Sequence, residues 1–130
     1  MKAIDTNVVV RFLTRDDPEQ SPKAKALIEA GDVFVSNGVL LETEWVLRSV
    51  HKFSSAQVIA SFRIFLGLPG VTVENPPVVV SAVNWAASGL DLEDAFHLAA
   101  AHDCEAFLTF DRRFAKRAKQ VAAAPAVHAL

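Results

Sequence analysis

Four acidic residues, widely separated along the 130-residue chain, have the sequence contexts of catalytic carboxylates. Asp5 and Asp111 each follow a short apolar run and precede a helical pattern, Asp94 lies near the start of another helix, and Glu42 lies one turn into a fourth. Carboxylate oxygens are the ligands that hard divalent cations prefer. If the four carboxylates face one crevice, their mutual repulsion requires a cation, and we expect bound Mg²⁺ or Mn²⁺.

Each aspartate also has a purely structural explanation, because a side-chain oxygen at a helix start accepts from free backbone N–H groups. Asp5 and Asp111 stand at predicted N-caps, and Asp94 lies three residues after Asp91, the spacing of a capping pair. Capping explains each residue singly but not their joint pattern. Both interpretations stay open, since one carboxylate oxygen can accept from a backbone N–H while the other faces a metal ion.

The two glutamates of the segment LLETEWVLR differ in their local partners. Glu44 has Arg48 four residues later, which is the favoured order for a solvated ion pair. Glu42 has Val46 at that distance and shares its side of the helix with apolar residues such as Trp45. Because an unpaired carboxylate on an apolar face is costly, we expect Glu42 rather than Glu44 to have a functional partner.

The elements that must position these carboxylates alternate between strands and helices. Two-residue alternation and short apolar runs predict strands at 3–4, 32–36, 70–75, 105–110 and 125–130. Apolar spacing of three to four residues, with capping residues and Gly or Pro at the ends, predicts helices at 6–13, 16–31, 38–52, 56–68, 78–89, 90–103 and 111–120. This order predicts one domain over residues 1–130, a three-layer α/β/α fold with a mostly parallel central sheet of four or five short strands. The strand carboxyl ends then share one edge, where ligands bind.

Composition restricts the location and the partners of the chain. Lys and Arg number 13 against 15 for Asp and Glu, so nucleic-acid binding requires local clusters of cations. A single cysteine, Cys104, excludes an intrachain disulfide and favours a reducing compartment. No apolar stretch approaches the length of a membrane span. We expect a soluble cytoplasmic protein that does not bind membranes.

Other catalytic chemistries lack their sequence motifs. The histidines form no HExxH zinc motif, and His97 is interpreted as a packed or surface residue. The glycines form neither a phosphate-binding loop nor a dinucleotide fingerprint, and no GxSxG motif is present. A receiver-like phosphoacceptor domain also gathers acids at strand ends, but it needs paired acids after the first strand and a lysine near the last, where this chain has a lone Asp5 and Asp111.

A run of cations follows the last acidic residue and includes Arg112, Arg113 and Lys116. A solvated helix face is the ordinary interpretation of such a run. Together with Arg11 on the first helix, however, these cations would surround the predicted metal ion and bind phosphates. The pattern predicts hydrolysis of a nucleic-acid backbone by metal-activated water. Because few aromatic residues lie outside predicted core positions, base stacking is not expected to be the main source of affinity.

Four segments of the chain resemble the successive motifs of PIN-domain ribonucleases, in particular VapC-like toxins of type II toxin–antitoxin systems. In order, and over nearly the whole chain, these segments are IDTNVVVRFL, LLETEWVLR, DLEDAFHLAAA and FLTFDRRF. The resemblance implies an Mg²⁺- or Mn²⁺-dependent endoribonuclease whose acidic quartet is Asp5, Glu42, Asp94 and Asp111. It also implies a small antitoxin protein that covers the active site, and a homodimer.

The same resemblance assigns supporting roles to polar residues near the quartet. Thr6, Asn7 and Thr109 match the family's polar residues that orient carboxylates or a metal-bound water. Some members carry a further acid two residues after the fourth, where this chain has Arg113, so the number of metal ions is left open. The alternative is a catalytically silent PIN-like module that binds RNA or a protein through the same cleft.

Overall fold

The computed structural model describes all 130 residues and contains seven helices and five short strands. In chain order the elements are β1 (Lys2–Ala3), α1 (Thr6–Thr14), α2 (Gln20–Ala30), β2 (Val33–Val35), α3 (Asn37–Ser49), α4 (Ser55–Leu66), β3 (Val71–Val73), α5 (Pro76–Ala87), α6 (Leu92–Ala100), β4 (Ala106–Thr109), α7 (Arg112–Gln120) and β5 (Ala126–Ala129). Every predicted element is present in the predicted order. All strand pairs are parallel, and they form a three-stranded sheet, β1-β2-β3, and a two-stranded sheet, β4-β5.

Residue contacts divide the chain into two compact units, Met1–Asn75 and Pro76–Leu130. Each contains one of the two sheets together with its own helices. The expectation of a single domain over 1–130 stays a prediction. None of the seven helices combines the length with the apolar character that a membrane-spanning helix requires.

The first unit is built around β2, which pairs with β1 on one side and β3 on the other. Both β2 valines, Val33 and Val35, are buried, as expected for a central parallel strand. Helices α1 and α4 contribute Phe12 and Phe65 to this core, with ring centroids 6.1 Å apart. Gly70 has no room for a side chain, because a Cβ there would overlap the Cα of Gly31. Gly31 itself ends α2 with a φ of 81°, a backbone conformation that favours glycine.

The second unit packs α5 against α6 and places α7 beside β5. The buried apolar face of α5 includes Val79 and Ala82, and that of α6 includes Ala95 and Leu98. Helix α7 is strongly amphipathic because its apolar residues, Phe114 and Ala118, are buried while most of its cations remain exposed. The core of this unit therefore fixes which face of α7 is available to a ligand.

Helix starts follow the capping chemistry of the sequence, with one displacement. Ser36 and Ser54 cap α3 and α4 through their hydroxyl oxygens, and Ser54 forms a full capping box with Gln57. Helix α2 was expected to include Pro18 in its first turn but begins at Gln20. Asp17 explains the displacement, because its Oδ1 accepts hydrogen bonds from the backbone N–H groups of residues 19 and 20.

Candidate active site

Asp5 lies directly between β1 and α1, where the buried Ile4 ends the strand segment. It is the N-cap of α1, and its Oδ1 accepts a hydrogen bond of 3.1 Å from the N–H of Val8. The predicted capping role is therefore confirmed. The side chain is exposed and its Oδ2 accepts no hydrogen bond, so this second oxygen remains available to a cation. Of its two predicted supports, Thr6 is buried and Asn7 is exposed.

Asp111 repeats this arrangement at the start of α7. Its Oδ1 accepts a hydrogen bond of 3.0 Å from the N–H of Phe114. Its own backbone N–H donates to Oγ1 of Thr109 at 3.0 Å, and the carbonyl oxygen of Thr109 accepts from the N–H of Leu130 at 2.8 Å. Thr109 therefore fixes the backbone on which Asp111 stands, and its role as a support of the metal site stays a prediction.

Asp94 differs from both because it caps nothing. Asp91 is the N-cap of α6, and its Oδ1 accepts from the N–H groups of Glu93 at 3.0 Å and Asp94 at 3.4 Å. Burial raises the pKa of Asp94 above its ordinary value of 3.8, and the negative charges of Asp91, Asp111 and Glu93 raise it further. Asp94 is thus a half-buried carboxylate among three others, and capping does not account for its side chain.

The structure reverses the expected environments of Glu42 and Glu44. Glu42 was expected on an apolar face, but its side chain is exposed. Glu44, expected in a solvated ion pair, is only 3% exposed, and both of its oxygens bind the Arg48 guanidinium, Oε2 at 3.3 Å from Nη2. The premise that selected Glu42 was therefore wrong. Glu42 remains a predicted ligand through its position and the resemblance, and Glu44 has its charge compensated within α3.

A pocket of about 330 Å³ opens beside Asp5, between α1 and α2. Arg11 lines it and is held on two sides: its Nε donates to Oε1 of Gln20 at 2.9 Å, and its Nη1 lies 3.5 Å from Oδ1 of Asp16. The pocket is lined by Asp5, Asn7, Val8, Arg11, Gln20, Lys23, Ala24 and Leu27. Sequence analysis selected Arg11 but missed Gln20 and Lys23, which share one face of α2 with Ala24 and could have been found from their three- and four-residue spacing.

The predicted RNA-binding cations of α7 are Arg112, Arg113 and Lys116, and all three are exposed without an ion-pair partner. The residue before Asp111 contradicts one expectation from the sequence. Phe110 is 84% exposed, so an aromatic ring does lie outside the core and directly beside a predicted ligand. Aromatic content therefore gives no reason to exclude base stacking there.

Each unit contributes two members of the predicted quartet: Asp5 and Glu42 lie in the first, Asp94 and Asp111 in the second. Asp94 and Asp111 are close enough to interact electrostatically. Neither unit alone groups three His, Cys, Asp or Glu side chains around a position suited to one metal ion. At the start of α3, the buried Oδ1 of Asn37 has no hydrogen-bond partner.

The model of the PIN domain family matches residues 2–120 of the chain. This range includes every predicted site residue and confirms the predicted α/β/α PIN-like fold class with parallel strands. No curated protein matches the chain.

Proposed function

Because the chain belongs to the PIN domain family, whose members are typically metal-dependent nucleases, we propose that it is an endoribonuclease that uses Mg²⁺ or Mn²⁺ to hydrolyse phosphodiester bonds of RNA. The main support is the environment of Asp94, a half-buried carboxylate whose pKa is raised by burial and by three neighbouring acids. Such a cluster destabilises the protein unless a cation compensates it. Capping accounts for Asp91 and Asp111 but not for the side chain of Asp94.

The proposed ligands are Asp5, Glu42, Asp94 and Asp111, and their sharing of one divalent ion is part of the proposal. A carboxylate-only donor set suits Mg²⁺ or Mn²⁺ and argues against zinc. At Asp5 and Asp111 the capping bond engages Oδ1 only, which leaves Oδ2 for the ion. When bound, the ion supplies an activated water and neutralises charge on the phosphate.

Polar neighbours orient the carboxylates in this proposal. Thr109 holds the backbone of Asp111 through its hydroxyl oxygen. Thr6 is buried and Asn7 is exposed at the first turn of α1, immediately after Asp5. Loss of such partners commonly reduces metal affinity or activity by about 10- to 100-fold. We therefore assign these three residues a positioning role.

Cations near the predicted ligands bind the RNA backbone in this proposal. Arg112, Arg113 and Lys116 are exposed and unpaired at the start of α7, directly after Asp111. Arg11 lies two helical turns or less from Asp5 and lines the same pocket. Because the chain has a net charge of −2, these local clusters rather than overall charge must attract phosphate.

The biological role in this proposal is that of a VapC-like toxin in the cytoplasm, a homodimer whose antitoxin covers the active site. Its support is the order of the four motifs quoted above. Induced expression of the chain should arrest the growth of a bacterial host, and co-expression of the protein encoded by an adjacent short reading frame should relieve the arrest. Arrest by an Asp94→Asn variant equal to that of the wild type would refute a toxic ribonuclease activity.

The activity itself is tested with labelled single-stranded RNA and purified protein. The wild type should cleave RNA in Mg²⁺ or Mn²⁺ and should not cleave it in EDTA. Asp5→Asn and Asp94→Asn should each lower the cleavage rate by about 100-fold or more, which is at least as much as the loss of a residue that only orients a metal ligand. Glu93→Gln is the matched control, because Glu93 is an exposed acid on the same helix as Asp94 and is not a proposed ligand. It should retain most of the activity.

Two other outcomes are decisive. Cleavage that persists unchanged in both variants identifies a contaminating nuclease and removes the support for the proposed site. Retained RNA binding without cleavage by any of the proteins identifies the silent PIN-like module instead.

A further inference from the structure

The pocket between α1 and α2 combines a fixed cation, unengaged amide donors and an apolar wall beside the predicted ligand Asp5. From α2 it takes Gln20, Lys23, Ala24 and Leu27, whose spacing places them on one helical face. From α1 and its cap it takes Asp5, Asn7, Val8 and Arg11. At about 330 Å³ it lies at the lower end of the range of about 300–1,000 Å³ that is usual for small-ligand pockets.

Arg11 is pre-oriented for a phosphate. Its Nε and Nη1 are engaged by Gln20 and Asp16, at 2.9 and 3.5 Å, which leaves Nη2 available. Asp16 is in turn held by the hydroxyl of Thr14 at 2.7 Å and by Nδ1 of His51 at 3.5 Å. A guanidinium fixed by this network loses little conformational entropy when it binds an anion. Lys23 adds a second cation to the pocket; its side chain is 77% exposed, and its Nζ lies 3.6 Å from Oε1 of Glu19.

The amide of Gln20 and the apolar wall suit a base and its sugar. Gln20 accepts from Arg11 through Oε1, so its amide nitrogen keeps both donors for a ligand. Side-chain amides of this kind recognise the edges of nucleobases. Val8, Ala24 and Leu27 provide apolar contact surface. An acidic peptide would also satisfy these cations and the amide, but its binding would give no dependence on base identity.

We propose that this pocket is a nucleotide subsite, an inference that rests on the proposed nuclease function: it binds one nucleotide of single-stranded RNA next to the cleaved phosphate. Arg11 binds the phosphate, Gln20 contacts the base, and the apolar wall packs against the base and sugar. Asp16, Thr14 and His51 are positioning residues that act through Arg11. The subsite therefore contributes to the sequence preference of the enzyme.

The test measures binding of fluorescently labelled single-stranded RNA in EDTA, so that cleavage does not interfere, at several salt concentrations. Arg11→Ala should raise the Kd by about tenfold, which corresponds to the lower end of the free energy of a charge-assisted hydrogen bond. It should also lower the slope of log Kd against log salt by about 0.7, because one phosphate contact is lost. Ala24→Leu, which fills the pocket, should weaken binding by a similar factor without a change of slope. Gln20→Ala should change the relative affinity for RNAs that differ at one base.

Two matched controls lie on the same helix outside the pocket. Ala26→Leu is the control for Ala24→Leu and adds the same volume at an exposed position. Lys25→Gln removes an exposed cation outside the pocket and is the control for Lys23→Gln, which removes the cation within the pocket. Both controls should bind RNA as the wild type does. Melting temperatures of all variants identify any that fail to fold. If Ala24→Leu is among them, the salt slope of Arg11→Ala and the base preference of Gln20→Ala decide.

The subsite is refuted if Ala24→Leu binds RNA as tightly as Ala26→Leu, or if Arg11→Ala keeps the wild-type slope. A changed sedimentation mass in the pocket variants, with RNA binding intact, would identify a second copy of the chain as the occupant and would also refute it. Pocket-dependent RNA binding by a wild type that cleaves no RNA in Mg²⁺ or Mn²⁺ supports the subsite and overturns the nuclease function. If the wild type cleaves RNA but the pocket variants bind RNA as tightly as the wild type does, the nuclease function is supported and the subsite is refuted.

Discussion

Asp5 and Asp111 each combine a capping hydrogen bond with a proposed metal bond, and substitution can separate the two roles. Asparagine keeps a side-chain oxygen at the capping position but removes the negative charge, whereas alanine removes both. Asp5→Asn and Asp111→Asn should therefore fold almost as stably as the wild type and lose cleavage. Asp5→Ala and Asp111→Ala should lose both cleavage and stability.

The size of the stability loss follows from the two caps. Replacement of an N-cap by alanine costs about 0.5–2 kcal/mol. For Asp5, whose bond to the N–H of Val8 is exposed, we expect about 1 kcal/mol. For Asp111 the bond to Phe114 is part-buried, and Phe114 is only 4% exposed, so the N–H left without a partner brings the cost nearer 2 kcal/mol. In a chain of this length each kcal/mol lowers Tm by about 3–5 °C.

The assay is a thermal or urea unfolding curve for each variant, with and without Mg²⁺, next to its cleavage rate. Mg²⁺ at about 100 times its Kd should add about 2.7 kcal/mol to the wild type and distinctly less to the asparagine variants. Ser54→Ala is the control: it removes the cap of α4, should cost about 1 kcal/mol, and should leave cleavage intact. Wild-type cleavage by Asp5→Asn would show that Asp5 is a cap and nothing more.

Two further predictions concern charge. The pKa of Asp94 is raised in the folded protein by burial and by Asp91, Asp111 and Glu93, with His97 opposing, so the stability that this group contributes is complete below its ordinary pKa of 3.8 and is lost as the pH rises through the raised pKa. Metal-free Asp94→Asn should therefore melt at or above the wild-type Tm at pH 7, and this difference in Tm should decline as the pH is lowered towards 4. A large loss of Tm in the variant would instead indicate a structural role. Arg48→Met leaves the buried Glu44 carboxylate without its guanidinium partner and should lower the free energy of unfolding in urea by about 3 kcal/mol. This is the lower end of the usual cost of breaking a buried ion pair, because Arg48 is 36% exposed. Adding Glu44→Gln should restore most of the loss, and equal stability of the single and double variants would contradict the prediction.

Local chemistry made much of the fold predictable from the sequence. Short polar residues after apolar runs mark helix starts, and Asp5 and Asp111 both cap as expected. Gly31 marks a helix end because the backbone there has a positive φ. These features depend only on residues within one or two turns of each other. The two capping aspartates among the predicted ligands belong to this predictable class.

The environments of Glu42 and Glu44 were not predictable in the same way. Trp45 marked one side of α3 as apolar, and this suggested that Glu42 faced the core. In the structure Trp45 is 55% exposed, and the buried face of α3 carries Leu40, Glu44 and Leu47. Which face is covered depends on contacts of α3 with α1 and α4, which are distant in sequence. The spacing of apolar residues shows how often buried positions recur along a helix. It does not show which face is buried when an ion pair takes the place of an apolar residue.

The choice of capping residue itself carries information about charge. Five helices have a side-chain cap: serine caps α3 and α4, while aspartate caps α1, α6 and α7. Serine satisfies the same N–H groups without adding a charge, and in α6 and α7 aspartate worsens a repulsion that already raises the pKa of Asp94. A carboxylate held by one oxygen presents the other with reduced rotamer freedom, so a cation binds it at a lower entropic cost. In the proposed function, a divalent ion at the free oxygens of Asp5 and Asp111 would leave both capping bonds intact and would relieve the repulsion between Asp94 and Asp111.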